Sequence, residues 1–159
     1  MIREATNQDH DNVWTIFSEV IRSGDTYVFA PDTPREDLDK LWFAPYMRTF
    51  IFEDDHKILG TYFIKPNQSG LGSHIANAGY MVHPEAHGKG IGKQLCEHSL
   101  ETAKVLGYKA MQFNIVVSTN EVAVSLWEKY GFTIIGTIPN GFNHQQLGLV
   151  DAYIMHRDL

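Results

Sequence analysis

The 159-residue chain predicts a mixed α/β fold built as one domain, residues 1–159. Three observations carry that expectation. Short apolar stretches suited to strands alternate with longer segments whose apolar residues recur at helical spacing. A glycine-rich turn, His87-Gly88-Lys89-Gly90-Ile91-Gly92, separates an apolar stretch from an amphipathic one. Hydrophobic content of 43% and charged content of 20% match globular proteins, and no repeat, linker or low-complexity segment divides the sequence.

Each element has a local reason. Ile2 to Ala5 reads as a short strand, and Thr6 with Asp9 forms a capping box for a helix running to Arg22. Val13, Ile16, Phe17, Val20 and Ile21 give that helix one apolar face, and Gly24 supplies its stop. Thr33 as cap, Pro34 in the first turn and Glu36 mark a second helix to about Trp42. Thr49 to Glu53 and Ile58 to Lys65 form an antiparallel hairpin across Asp54-Asp55-His56-Lys57. Pro66 to Ser73 is a loop, and His74 to Val82 is the strand that enters the glycine turn.

The following helix runs from about Gly90 to Leu106, carries Ile91, Leu95, Leu100, Ala103 and Leu106 inward, and stops at Gly107. Lys109 to Val117 is a strand. Ser118 with Glu121 forms a capping box for a helix that ends at Tyr130 and is capped by Gly131. Phe132 to Ile138 and Leu149 to Met155 are the last strands, separated by a polar loop from Pro139 to Gly148.

The glycine turn carries the functional signal. Glycines at 88, 90 and 92 clear side chains from the backbone, and the next helix directs its unpaired N–H groups and positive dipole end to the same place. The expected ligand is a phosphorylated cofactor. A nucleoside-triphosphate loop would place Ser or Thr after a lysine, whereas Gly92 is followed by Lys93-Gln94. A dinucleotide fold would place its glycines near the first strand with a carboxylate about 20 residues on. Met111-Gln112-Phe113-Asn114 offers none.

Residues 87 to 92 resemble the pyrophosphate loop of the GCN5-related N-acetyltransferase superfamily, with His87 where that family has Arg or Gln. The resemblance continues through Asn120-Glu121-Val122-Ala123-Val124-Ser125-Leu126-Trp127 to Gly131-Phe132, which follows the family's Asn, Ala, Leu-Tyr and Gly-Phe pattern. It implies a mostly antiparallel sheet of about seven strands, flanked by helices and split between the fourth and fifth strands. It also implies acetyl-CoA as cofactor and direct acetyl transfer to an amine without a covalent enzyme intermediate.

The roles that the resemblance implies fall on particular residues. Backbone groups of Tyr80, Met81 and Val82 bond the pantetheine arm and polarise the thioester. His87, Gly88, Lys89, Gly90, Ile91 and Gly92 hold the pyrophosphate, with Lys93 nearby. Asn120 bonds the arm or merely caps its helix. Trp127 occupies the place of the family's proton-donating tyrosine, and indole is no acid, so Trp127 packs beside the cofactor and Tyr130 or water protonates the thiolate. Asn77-Ala78-Gly79-Tyr80, Phe113-Asn114-Ile115-Val116 and Thr119-Asn120 are similar to a yeast branch that acetylates azetidine-2-carboxylate. Asn77 and Asn114 then serve the acceptor, with an ordered water to take the proton that an amide cannot; a hydrogen-bonded amide bridging the splayed strands is the structural alternative. Glu4, Asp25 and Tyr27 are further candidates for the acceptor cleft, and His74 and His83 for a proton relay.

Composition narrows the partners. A net charge of −6 argues against a nucleic-acid surface and mildly favours cationic or zwitterionic substrates. No apolar run is long enough to span a bilayer, and Met1-Ile2-Arg3-Glu4 lacks a signal-peptide core, so a cytoplasmic setting is expected. The single cysteine, Cys96, falls on the apolar side of its helix, and the eight histidines show no metal-ligand spacing. A small-molecule N-acetyltransferase is the leading reading. A non-catalytic acetyl-CoA sensor and an acetyltransferase of protein N-termini or lysines are the alternatives, and a homodimer is expected by family analogy.

Overall fold

Seven strands form one sheet in the computed structural model, which describes residues 1–159. They are β1 (Ile2–Glu4), β2 (Arg48–Asp54), β3 (Lys57–Pro66), β4 (Ile75–Val82), β5 (Ala110–Val117), β6 (Thr133–His144) and β7 (Gly148–Asp158), in the spatial order β1-β2-β3-β4-β5-β7-β6. Four helices join them: α1 (His10–Arg22), α2 (Leu38–Trp42), α3 (Ile91–Val105) and α4 (Glu121–Lys129). No helix is long and apolar enough to cross a membrane.

Period-two alternation gives the sheet two apolar faces. Phe50, Phe52, Tyr62, Ile64, Ala76 and Ala78 turn to one side, where Ile91, Leu95, Leu100 and Ala103 of α3 complete the larger core. Ile51, Phe63 and Met81 turn to the other, against Val13, Ile16, Phe17 and Ile21 of α1 and Leu38 and Trp42 of α2. Trp42 is fully buried, and its indole N–H is satisfied by the Thr61 hydroxyl at 3.1 Å.

Every strand pair is antiparallel except β4–β5, which is parallel and registered only at Ile75–Ala110 and Ala76–Met111. Beyond those two positions the ladder ends. The Lys109 N–H donates to the His74 carbonyl at 2.8 Å, whereas the His83 N–H donates to Leu59 on the opposite side at 2.8 Å. Alternation therefore turns the backbone of even-numbered β4 residues toward β5 and of odd-numbered ones toward β3. Ala78, Tyr80 and Val82 present N–H and C=O groups to the gap.

Several boundaries differ from the sequence expectation. Asp9 accepts the Thr6 backbone N–H at 2.7 Å and hydroxyl at 3.1 Å, but Asn7–Asp9 is a 3₁₀ turn and α1 begins at His10. Thr33 does not cap α2; its hydroxyl donates back to Ala30 at 2.6 Å, because Pro34 is extended (ψ 156°) and a 3₁₀ turn begins after it. The cap of α4 is Asn120, whose side chain accepts the Ala123 N–H at 3.3 Å. Ser118 sits two residues too early, with its N–H still given to Asp151 across the sheet. The expected loop from Pro139 to Gly148 is mostly strand, since β6 continues to His144. A bulge between Ile138 and Phe142 absorbs Pro139-Asn140-Gly141, with Asn140 at φ +52° and its N–H taken by Asp151 at 3.0 Å.

The tip of the β6–β7 hairpin is tied to the end of α1. The Gln145 N–H donates to the Gly24 carbonyl at 3.1 Å, and the Gln146 amide donates to the Ser23 carbonyl at 3.3 Å. Gly24 has φ +63°, and a Cβ there would lie 2.0 Å from the Gln145 side chain.

One ion pair anchors the amino-terminal side of α1. Arg3 grips Asp9 with two bonds of 2.8 and 2.9 Å, which lowers the carboxyl to about 2 against the opposing effect of burial. Folding thus favours the charged form, so its stabilisation is complete above the ordinary carboxylate pKa of about 3.9. That contribution disappears as pH falls through about 2. Asp9→Asn is expected to lower unfolding free energy at pH 7 by about 2 kcal/mol and to flatten the acid limb of stability in urea titrations.

Candidate active site

The glycine turn lies where β4 hands over to α3. Gly88 and Gly90 have φ of +79° and +74°, and a Cβ built on either would meet nothing within 4 Å. These glycines therefore avoid no internal collision; they set the turn's handedness and leave the space above it open. With the unpaired first-turn N–H groups of α3, the turn forms a cradle that fits a pyrophosphate. The cavity beside it has a volume of about 630 Å³ and is lined by Val82, His87, Gly88, Gly90, Ile91, Gly92 and Lys93, and from α4 by Val122, Ser125, Leu126 and Lys129.

A second cavity, of about 140 Å³, lies in the gap between β4 and β5. Ala78, Gly79 and Tyr80 form one wall, Phe113, Ile115, Val116 and Val117 the other, and Asn120, Ala123 and Trp127 close the α4 side. Thr26 and Tyr27 reach it from the loop after α1. The buried Trp127 packs against Tyr80 and Phe113, with ring centroids 4.9 and 4.7 Å away. The Tyr27 hydroxyl accepts the Tyr80 N–H at 2.8 Å and donates to the Tyr80 carbonyl. Burial raises its pKa above the ordinary tyrosine value.

The fold that carries this turn and gap is shared with known proteins. Residues 14–132 match the profile described as the Acetyltransferase (GNAT) family. The chain belongs to the GNAT family. Its cofactor is accordingly acetyl-CoA. The chain is 40% identical over 112 residues to the N-acetyltransferase aca1 of Schizosaccharomyces pombe, covering 70% of this chain and 54% of that protein. It is 32% identical over 85 residues to Protein SPT10 of Saccharomyces cerevisiae, covering 54% of this chain and 13% of that one. The chain thus spans about half the length of the first relative and a small part of the second. A GCN5-related N-acetyltransferase from Kribbella flavida superposes with a TM-score of 0.94 at 38% identity, over 100% of this chain and 97% of that one. A phosphinothricin acetyltransferase from Sinorhizobium meliloti, solved with AcCoA, shares the fold at a TM-score of 0.89 and 19% identity, over 100% of this chain and 88% of that one.

Within this GNAT fold, His87, Gly88, Gly90, Ile91, Gly92 and Val82 line the cradle cavity, and Tyr80, Asn120 and Trp127 line the gap. Lys89 sits in the turn outside both linings, while Lys93 and Lys129 bring the cations. Met81 is a correction. Its side chain is buried toward α1 and its backbone faces β3, so it offers nothing to the gap. Asn120 caps α4 and lines the gap.

Tyr130 is a second correction. Its hydroxyl donates to Glu97 of α3 at 2.6 Å and lines neither cavity, and burial with the Glu97 carboxylate pushes it up to about 12. Asn77 bridges the diverging strands, donating its amide N–H to the Gln112 carbonyl at 2.9 Å. Asn114 is exposed; it donates to Asn67 at 2.8 Å and accepts from Gln112 at 3.2 Å. Asn77 lies between Ala76 and Ala78 of the larger core and so stands on the α1 face of the sheet, Asn114 lies at the irregularity of β5 after Phe113, and neither lines either cavity.

The weaker candidates lie elsewhere. Glu4 is bound bidentately by Arg48 at 3.0 and 2.7 Å, and Asp25 accepts from Ser23 at 2.5 Å. His74 is exposed at the far end of β4, and His83 accepts the Glu85 N–H at 3.2 Å in a surface turn. Buried Cys96, pushed up to about 12 by burial, stays a thiol and is no nucleophile. Tyr27 reaches the cleft as expected, but its bond to the β4 backbone has no sequence signal, because the 53-residue separation is spanned by tertiary packing. Tyr130→Phe is expected to leave kcat within about two-fold of wild type, whereas a loss of about 10²-fold would restore Tyr130 as the acid.

Proposed function

We propose that this GNAT-family chain passes the acetyl group of acetyl-CoA directly to the amine of a small molecule, an amino acid or proline-like imino acid. The observation that carries this reading is the narrow gap between β4 and β5. Its volume of about 140 Å³ is well below the roughly 300–1,000 Å³ of pockets for drug-sized ligands. Thr26 and Tyr27 wall it on the α1 side, and the hairpin tip is tied to the same loop through Gly24. Such a wall suits a small acceptor better than an extended peptide. The 40% identity to a protein named N-acetyltransferase aca1 supports transfer to nitrogen.

Bound acetyl-CoA supplies the activated acyl group. The chain's residues then position it: the 87–92 turn takes the pyrophosphate, and the β4 edge at Ala78, Tyr80 and Val82 takes the arm. A backbone N–H aimed into the gap polarises a carbonyl placed there. Asn77, which lines neither cavity, commits an amide N–H to the sheet and leaves its carbonyl oxygen outside that bond, the group with which it would orient an amine or a water beside the gap. Holding amine and thioester in contact offsets roughly 7 to 11 kcal/mol of barrier. The inert Cys96 thiol supports transfer without an acyl-cysteine. The same reading takes residues 1–159 as one catalytic domain in the cytoplasm. It adds a homodimer by analogy, to which the exposed Ile134 and Ile135 of the outer strand β6 lend support.

Thiol release from acetyl-CoA with amino acids, proline analogues, polyamines, aminoglycosides and peptides tests this reading. A selective imino-acid hit supports the acceptor named here. Acetylated peptides by mass spectrometry would replace the small molecule with a protein acceptor. Silence with measurable acetyl-CoA binding would favour a sensor, the reading that Trp127 in the tyrosine's place motivates. Two variants separate the parts. Gly90→Val, which forces a branched residue to a left-handed φ of +74°, is expected to weaken CoA binding about ten-fold or more. Asn114→Ala should lower kcat with CoA affinity within about two-fold of wild type; an unfolded variant would point to a structural role.

A further inference from the structure

We infer that Tyr27 is a placeholder for the pantetheine arm on β4. Its hydroxyl holds the Tyr80 N–H and C=O until the arm takes them, and cofactor entry then displaces that hydroxyl from β4 and loosens the Tyr27 segment. The inference rests on the acetyl-CoA reading for the identity of the arm; the contact itself is in the fold.

Three observations lead to it. First, β4 loses its parallel partner after Ala76, so the Tyr80 N–H and C=O lie mid-way along an open strand edge. An edge of this kind is completed by a ligand that carries amides in series, as pantetheine does. Second, one side-chain hydroxyl satisfies both Tyr80 groups, accepting from the N–H at 2.8 Å and donating to the carbonyl. An N–H has a single proton to give, so Tyr27 and an arm paired at Tyr80 exclude each other. Third, Tyr27 sits between α1 and α2 outside regular structure, next to an exposed Val28. Its ring is kept in place by Phe29, stacked at 5.9 Å, and the edge of Trp42 at 6.3 Å. Gly24, at φ +63°, gives the segment a pivot that is itself held by Gln145.

The competition predicts an affinity that improves when the hydroxyl is removed. Tyr27→Phe keeps the stacked ring and frees both Tyr80 groups. Calorimetric titration with CoA is expected to show a Kd about three- to ten-fold lower in the variant. Titration with 3′-phosphoadenosine 5′-diphosphate, which is CoA without the arm, is expected to give the same Kd in both proteins. A CoA affinity that is unchanged or weaker in Tyr27→Phe overturns the inference, as does an equal gain for the armless nucleotide. Hydrogen exchange on the wild type decides the matter even if the variant fails to fold: amides of residues 25–29 should exchange faster with CoA bound, and protection there overturns the placeholder. A wild type that binds neither ligand removes the acetyl-CoA reading along with this inference, whereas CoA binding with no effect at Tyr27 removes only the inference.

Discussion

The parallel pairing of β4 with β5 lasts for two residues, and the chemistry of this fold follows from its end. A continued ladder would have consumed the N–H and C=O groups of Ala78, Tyr80 and Val82 and left no gap. Instead β5 carries a register shift between Phe113 and Val116 and commits its other edge to β7. The open edge is a liability in an apolar setting, since unpaired buried backbone groups are costly. Asn77 secures the fork by crossing to Gln112, and Tyr27 satisfies Tyr80.

The two faces of the sheet divide the labour. The larger core binds α3, and with it the cradle, to β4, so the phosphate site stands on the most extensively buried part of the molecule. The smaller core carries α1, α2 and the loop that walls the gap. Regions with fewer buried apolar contacts open at lower free energy.

Much of this was legible in the residues, because local rules dominated where they applied. Thr49 to Glu53 and Ile58 to Lys65 read as an antiparallel hairpin and are one, and Gly24, Gly107 and Gly131 marked helix ends, each at positive φ in the structure. The turn between β4 and α3 was legible because glycines at 88, 90 and 92 precede an amphipathic stretch, and Gly88 and Gly90 take positive φ there. What failed to read was whatever depends on distant partners. Pro139-Asn140-Gly141 has the composition of a loop, yet a bulge across from Asp151 keeps it in the sheet. Tyr130 looked free to donate a proton, but α3 brings Glu97 to its hydroxyl. Met81 lay in the right strand with the wrong parity.

The tie between Gly24 and Gln145 has a consequence for how the molecule comes into being. The cradle is built from a continuous stretch through β4 and α3, so it can take shape as soon as that stretch and its β-neighbours have left the ribosome. The loop that carries Thr26 and Tyr27 cannot be tied down so early, because Gly24 and Gln145 are separated by more than a hundred residues of chain and meet only once the final hairpin exists. A nascent chain would thus form the glycine turn before the loop beside the gap is anchored. The same separation makes the loop beside the gap depend on the hairpin for its anchorage, while the glycine turn does not.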